Sequence, residues 1–185
     1  IPEYGTEFVR GMLETIKPST VGDIIKVSGL SHGTDVWQGN AETLFKGELP
    51  GYPRVSFSEV IACRDDIMLD LMKYDLPAAE AFQIMEGVRK GKGLKTSQEE
   101  LMRKHKVPEW YIYSCKKIKY MFPKAHATAY VIMALRIGWF KVHRPIYYYA
   151  AYFSKRAKRL DAEIFALGKN AIRNKINEIN DKIAN

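Results

Sequence analysis

The chain has 185 residues, of which 46% are hydrophobic and 27% are charged. This composition fits an ordered domain with a real core and excludes an intrinsically disordered chain. Its two cysteines, Cys63 and Cys115, lack the spacing of a disulfide framework or a zinc motif, so we expect a reducing, cytoplasmic location. The longest uncharged apolar run, residues 127–135, is far shorter than the roughly 20 residues of a membrane span. No membrane partner is therefore expected.

Positive charge is concentrated in the middle of the chain. Residues 89–159 contain 18 lysines and arginines against three acidic residues, a net charge of +15. The remainder carries 11 basic and 18 acidic residues, a net charge of −7, and the whole chain has a formal charge of +8. This segregation indicates a surface that faces a polyanion. An uneven surface charge without such a partner remains the alternative.

Helix signals dominate the chain, and no stretch alternates apolar and polar residues long enough to predict a sheet. We therefore predict an all-α fold, with Thr6 and the pattern Ser97-x-x-Glu100 as helix N-caps and Gly29 near a helix end. The predicted helices cover, in order, residues 6–16, 19–29, a short helix from 58, 64–74, 77–91, 97–104, 108–120, 123–143, 145–158 and 161–183.

Two of these helices carry clear burial patterns. In the helix from Pro77, the apolar face consists of Ala81, Ile84, Met85 and Val88. The helix over residues 123–143 is nearly uncharged for three turns, which predicts a long central helix buried on most sides.

The junction between two predicted helices, in residues 114–126, is rich in cations. They lie at the end of the first helix and in the first turn of the next: Lys116, Lys117, Lys119, Lys124 and His126. A helix N-terminus offers free N–H groups to a phosphate, and Tyr120 and Phe122 could offer a flat face to a base. Alternatively, the first three lysines only complement the dipole of a helix C-terminus.

A second basic segment, residues 88–94, reads VRKGKGL. Arg89 and Lys92 could grip phosphates from a mobile loop, or the glycines could simply cap a helix in the left-handed conformation. The segment lacks the Walker pattern of nucleotide hydrolases.

Residues 63–66, CRDD, combine one guanidinium with two adjacent carboxylates. Asp65 and Asp66 point in different directions on one helix, so dipole complementation explains them better than a two-metal site. Arg64 could clamp a phosphate. Residues 31–35, SHGTD, are too close in sequence to form a hydrolytic triad, and the four histidines have no zinc-like spacing. No metal site is expected.

Seven segments together resemble PolC-type bacterial DNA polymerase III alpha subunits, members of family C. The segments are YGTEFVR at 4–10, SGLSHGTDVW at 28–37, CRDDIM at 63–68, VRKGKGL at 88–94, MRKH at 102–105, VPEWY at 107–111 and residues 114–130. They run in order from Ile1 to about Ile179. FPKAHATAY at 122–130 is also similar to the shorter DnaE-type subunits, whereas residues 46–56 and 157–165 fit poorly.

This resemblance implies the fingers region of a replicative DNA-directed DNA polymerase, a nucleotidyltransferase. Residues 1–158 would form the fingers, a multi-helix domain, and residues 159–185 a C-terminal helical extension toward downstream DNA-binding domains. The Mg²⁺ ions of the reaction would be held by palm carboxylates outside this chain, so the fragment alone is expected to be inactive. The implied partners are the incoming dNTP, template-primer DNA, the palm and downstream domains and, through the full enzyme, the sliding clamp.

The resemblance also implies residue roles, with no catalytic residue and no metal ligand in this chain. The phosphate-side candidates are Arg64, Arg89, Lys92, Lys117, Lys124 and His126. The base- or template-side candidates are Ser31, His32 and Phe122. Two other functions remain open, a stand-alone helical nucleic-acid-binding module and a structural domain whose basic face docks an acidic partner.

Overall fold

A computed structural model describes residues 1–155 and 161–184, and within these ranges it contains α-helices and no β-strand, which confirms the all-α class. None of the described helices is both long and apolar enough to cross a membrane. The helices are α1 (Glu7–Ile16), α2 (Val21–His32), α3 (Glu42–Lys46), α4 (Arg64–Lys73), α5 (Ala78–Arg89), α6 (Thr96–Lys104), α7 (Glu109–Lys117), α8 (Lys124–His143), α9 (Pro145–Lys155), α10 (Ala162–Ala166) and α11 (Lys169–Ala184). An irregular helical turn over Trp37–Ala41 precedes α3.

The chain forms two compact units, Ile1–Arg136 and Ile137–Asn185. The predicted boundary between residues 158 and 159 lies outside the described residues. In the second unit, the single helix predicted over 161–183 is wrong: α10 and α11 are separated at Gly168, which has a left-handed φ of 85°. That conformation ends a helix at little cost in glycine.

The core of the first unit is built from faces of α1 to α7 and from the connections between them. α4 and α5 pack against each other, and the predicted apolar face of α5 is confirmed because all four of its residues are buried. The largest fully buried side chains are Met12, Leu30, Leu44, Ile61, Ile67, Leu71, Ile84, Met102, Tyr111, Ile112, Ile118 and Met121. This core fixes the helix ends from which the candidate site is assembled.

Local caps explain where several helices begin. Thr6 accepts from the Val9 amide, as predicted, and Thr20 forms a reciprocal box with Asp23 at the start of α2. The box predicted at 97–100 is wrong: α6 begins at Thr96, and the Gln98 side chain accepts from the Lys95 amide. The helix predicted from residue 58 is also absent, since residues 57–59 form a turn.

Gly29 does not end α2, as the sequence suggested, but lies inside it, and the helix continues to His32. A Cβ at this glycine would lie 2.5 Å from the Cys63 Sγ and 2.8 Å from the Ala62 carbonyl oxygen. The glycine is therefore required for close approach of α2 to the start of α4, not for a cap.

α8 is the long helix that the sequence predicted, but its burial on most sides is wrong. Only Ala127, Val131 and Ala134 are buried, at spacings of four and three residues along one face. The side chains of Tyr130, Ile132, Met133 and Leu135 are exposed. Apolar composition around a helix shows that its surface is hydrophobic, but it does not show which part of this chain packs against it.

The close packing at Gly29 gives a stability prediction. Gly29→Ala should lower the free energy of unfolding by about 1–3 kcal/mol, because a Cβ there forces the backbone of Ala62 away. Gly11→Ala is the matched control: a Cβ at Gly11, inside α1, would meet nothing within 4 Å, so alanine should raise stability by up to about 1 kcal/mol. Urea unfolding followed by far-UV circular dichroism measures both. Equal stabilisation by the two alanines would contradict the close approach.

Candidate functional site

The candidate site is organised around residues 119–122, the extended connection between α7 and α8, which we call the connector. The Thr34 amide donates to the Tyr120 carbonyl at 3.0 Å, and the Lys119 amide donates to the Thr34 carbonyl at 3.0 Å. The connector begins sooner than predicted, because α7 ends at Lys117 and leaves Lys119 outside the helix. Its backbone is thus paired with the loop that follows α2.

Two further segments contact the connector. The Arg64 amide, at the start of α4, donates to the Phe122 carbonyl at 3.2 Å. Gly91, with a φ of 70°, packs so closely that a Cβ would lie 2.5 Å from the Lys119 carbonyl oxygen. The four segments that the sequence singled out, residues 31–35, 63–66, 88–94 and 114–126, therefore meet around one stretch of backbone.

The start of α8 is partly occupied by a carboxylate from another helix. The Lys124 amide donates to the Asp65 Oδ2 at 2.7 Å, and the Arg64 Nε lies 4.0 Å from the same oxygen. The amides of Ala125 and His126 have no acceptor within the described residues. The helix therefore keeps two free N–H groups at its positive end, next to one that is already bound.

The Lys124 side chain is held by a second carboxylate. Its Nζ donates to the Asp66 Oδ1 at 3.1 Å, and about half of the lysine side chain is exposed. The negative charge of Asp66 raises the pKa of Lys124 above its usual value, although partial burial opposes this shift. The ammonium is thus kept charged and directed toward α4.

Arg89 forms a two-point contact with a carboxylate on its own helix. Its Nε donates to the Glu86 Oε1 and its Nη2 to the Glu86 Oε2 at 2.8 Å, while the Lys90 Nζ also lies 2.8 Å from Oε2. The hydrogen bond from Arg89, followed by that from Lys90, lowers the pKa of Glu86 to about 2. The guanidinium is thus held at the end of α5, beside the loop that carries Lys92.

Three cations at the connector are free to meet an anion. Among the described residues, Lys92, Lys117 and Lys119 form no ion pair, and all three are exposed. The Lys117 Nζ lies over the Tyr113 ring, 5.6 Å from its centre. By contrast, Lys116 binds Glu99 at 2.8 Å and so faces α6.

Aromatic rings form a continuous stack beside the connector. His32 stacks on Phe122 with ring centres 5.1 Å apart, and the rings of Phe122 and His126 are nearly perpendicular, with their centres 4.6 Å apart. His126 in turn contacts Tyr130 at 4.5 Å. With Glu3, these rings line a surface hollow of about 320 Å³. A base-side candidate, His32, and a phosphate-side candidate, His126, thus share one aromatic surface.

Hydrogen bonds fix the α2 end of this stack. The His32 Nδ1 lies 2.8 Å from the Ser28 carbonyl oxygen and its Nε2 lies 2.5 Å from the Glu3 Oε2. Ser31 donates to the same Ser28 carbonyl at 3.0 Å, so its hydroxyl is turned back toward α2. Glu3 and Tyr130 were not predicted from the sequence. Tyr130 lies four residues, about one helical turn, after His126, so its contact with that ring could have been predicted from their spacing. Glu3 is far from the other residues in sequence, so no sequence pattern indicated its contact with His32.

The described residues of the site do not favour metal binding or nucleophilic catalysis by a thiol. Across the described parts of the chain, no group of three or more histidine, cysteine, aspartate or glutamate side chains could hold a metal ion. Burial raises the pKa of Cys63 to about 12, so its thiol is neutral near pH 7 and is a poor nucleophile. The site offers cations, amides and rings for binding.

The pairing of Arg89 predicts the titration of Glu86. Arg89→Ala should return the Glu86 pKa from about 2 toward its usual value of 4.5, whereas Lys90→Ala should shift it less. Because the folded-state pKa is lowered, the stability contributed by this pair is present above about pH 4.5 and is lost as the pH falls toward 2. Carboxyl ¹³C NMR titration of the chain measures the pKa. An unchanged value in Arg89→Ala would show that the guanidinium is not held there.

Comparison with known proteins identifies the family. Residues 1–107 match the model of the bacterial DNA polymerase III alpha subunit finger domain. The chain is 57% identical over 182 residues to the DNA polymerase III PolC-type proteins of Pediococcus pentosaceus and Listeria monocytogenes, and 55% identical over 191 residues to that of Streptococcus pneumoniae. These alignments cover 98–100% of this chain but only 12–13% of the relatives' length. The chain therefore belongs to the finger-domain family of bacterial DNA polymerase III alpha subunits.

Proposed function

We propose that this chain is the fingers part of a replicative DNA-directed DNA polymerase and that the surface around the connector binds the phosphates of the incoming dNTP. The relatives over the whole chain are named DNA polymerase III PolC-type, which supports the assignment of the enzyme. The whole protein would act on template-primer DNA together with its remaining domains, and it would engage the sliding clamp through other parts. A cytoplasmic location fits this role.

One observation carries the phosphate assignment: four helix ends that carry cations lie at the connector, and the helix that follows it begins with free amides. Lys124 and the amides of Ala125 and His126 belong to one helix start, and Arg64 lies beside it. Lys117 and Lys119 approach from the end of α7, and Arg89 and Lys92 from the end of α5. A triphosphate carries several negative charges in a short length, so it matches such a convergence better than a single phosphate does.

The cations need no proton chemistry of their own for this role. In phosphoryl transfer, fixed positive groups neutralise the charge that develops on the transferring phosphoryl group and its leaving group. Mg²⁺ would supply the remaining charge neutralisation when it is bound by other parts of the whole protein. The residues of this chain would hold and orient the triphosphate, and they would exclude water around it.

The aromatic stack supplies the base or template side of the proposal. His32 and Phe122 stack on each other next to the start of α8, where the phosphates would lie, and the outer ring face of this pair would receive the base. Stacking on such rings accepts every base, so it suits an enzyme that must take four dNTPs. Ser31 would contribute by supporting His32 through the shared Ser28 carbonyl and not by a free hydroxyl.

Alanine substitutions in the polymerase that contains this chain test the proposal. Lys92→Ala and Lys124→Ala should each lower kcat/KM for dNTP about tenfold, the effect of losing one charge-assisted hydrogen bond. Lys104→Ala is the matched control, since Lys104 is an exposed lysine of α6. Single-nucleotide incorporation on a primed template gives kcat and KM, and melting curves show that the variants fold.

The same measurements separate the triphosphate from the DNA backbone. If both lysine variants keep the wild-type kcat/KM for dNTP, the phosphate assignment fails. If they raise only the Kd for template-primer DNA, the surface binds the DNA backbone. A plot of the logarithm of the binding constant against the logarithm of the salt concentration should then have a slope of roughly −0.9 per duplex phosphate contact. That outcome would favour a nucleic-acid-binding role alone.

A further inference from the structure

Asp66 makes two kinds of contact through its two oxygens. Its Oδ2 accepts from the amides of Cys63 at 2.9 Å and Ala62 at 3.2 Å, which completes the N-terminal cap of α4. Its Oδ1 accepts from the Lys124 Nζ at 3.1 Å. The Asp66 side chain is only 12% exposed, whereas that of Lys124 is 49% exposed. One oxygen therefore satisfies the cap, and the other is available to the lysine.

The neighbouring residues bind the backbone of the same helix start. Asp65 accepts from the Lys124 amide at 2.7 Å, and the Arg64 amide donates to the Phe122 carbonyl at 3.2 Å. The first turn of α4 thus contacts the start of α8 at three places: the Lys124 side chain, the Lys124 amide and the Phe122 carbonyl. These contacts join residues that are 58 and 59 positions apart in sequence.

A lysine without such a partner would sample many rotamers, because four rotatable bonds set the position of its ammonium group relative to the backbone. Contact with the fixed, nearly buried Asp66 limits the position of Nζ and uses one of its three donors. The other two remain available to an anion on the exposed side. A helix cap requires none of this, since Oδ2 alone accepts from both amides.

We propose that Asp66 is a positioning residue for nucleotide binding: it holds the Lys124 ammonium group at the place where that group contacts a dNTP phosphate. Asp65 fixes the start of α8 by accepting from the Lys124 amide. This inference rests on the proposed function, in which Lys124 binds the triphosphate. Asp66 does not touch the nucleotide and exerts its effect through Lys124. The raised pKa of Lys124 agrees with this pairing, since the charge of Asp66 is its largest cause.

The test uses Asp66→Asn in the polymerase that contains the chain. Asparagine keeps one carbonyl oxygen for the amides of Ala62 and Cys63, and it turns an uncharged NH₂ group toward the lysine. The cap is therefore kept while the ion pair is lost. We expect KM for dNTP to rise about threefold to tenfold, as for a charge-assisted contact, with kcat changed less and the melting temperature near that of the wild type.

A double-mutant cycle with Lys124→Ala identifies the route of the effect. In the Lys124→Ala background, Asp66→Asn should add less than about 1.5-fold to KM, because the residue through which it acts is gone. Asp70→Asn is the matched control: Asp70 is one turn further along α4 and pairs with Lys73 and the Tyr111 hydroxyl. Its KM for dNTP should stay at the wild-type value.

The outcomes separate this inference from the proposed function. If Lys124→Ala raises KM but Asp66→Asn does not, or if the Asp66→Asn effect persists in full without Lys124, the positioning role is overturned and the phosphate role of Lys124 stands. If Lys124→Ala leaves KM and kcat unchanged, the phosphate role of this lysine fails, and the inference fails with it. A rise in KM confined to variants that keep Lys124 supports the positioning role.

Discussion

The backbone of the connector is the constraint on which the candidate site depends. A segment between two helices has no ladder of its own, so its polar groups need partners from elsewhere. Thr34 supplies both a donor and an acceptor, and the Arg64 amide binds the Phe122 carbonyl. The buried side chains of Ile118 and Met121 anchor the same stretch in the core. Each bond that satisfies the connector also brings one of the candidate segments to it.

The ion pairs at the site fix the positions of the cations more than they stabilise the fold. The ion pairs of Arg89 and Lys124 are only partly buried, and ion pairs that water reaches contribute little to folding because water screens them. Their carboxylates nevertheless limit where the cations lie. Lys92, Lys117 and Lys119 lack such partners among the described residues and keep their freedom. The surface therefore combines cations that are held by carboxylates with cations that have no carboxylate partner among the described residues.

The sequence predicted the parts of the fold that depend on neighbours along the chain. The apolar face of α5 follows from spacings of three and four residues, and Thr6 caps α1 through an amide three positions away. The cations around residue 120 could likewise be selected by their places at helix ends. These features are local, so a single sequence contains the information that determines them.

The features that could not be predicted from the sequence depend on residues far apart in the chain. Gly29 resembled a helix end, but its role is set by Cys63, which touches it only in the folded chain. The sequence indicated Asp65 and Asp66 as partners of the dipole of their own helix, and Asp66 does cap it. Their contacts with Lys124 required knowledge of how α4 meets α8. A carboxylate that caps one helix and binds a lysine of another makes the same sequence signal as a simple cap, so only the geometry distinguishes them.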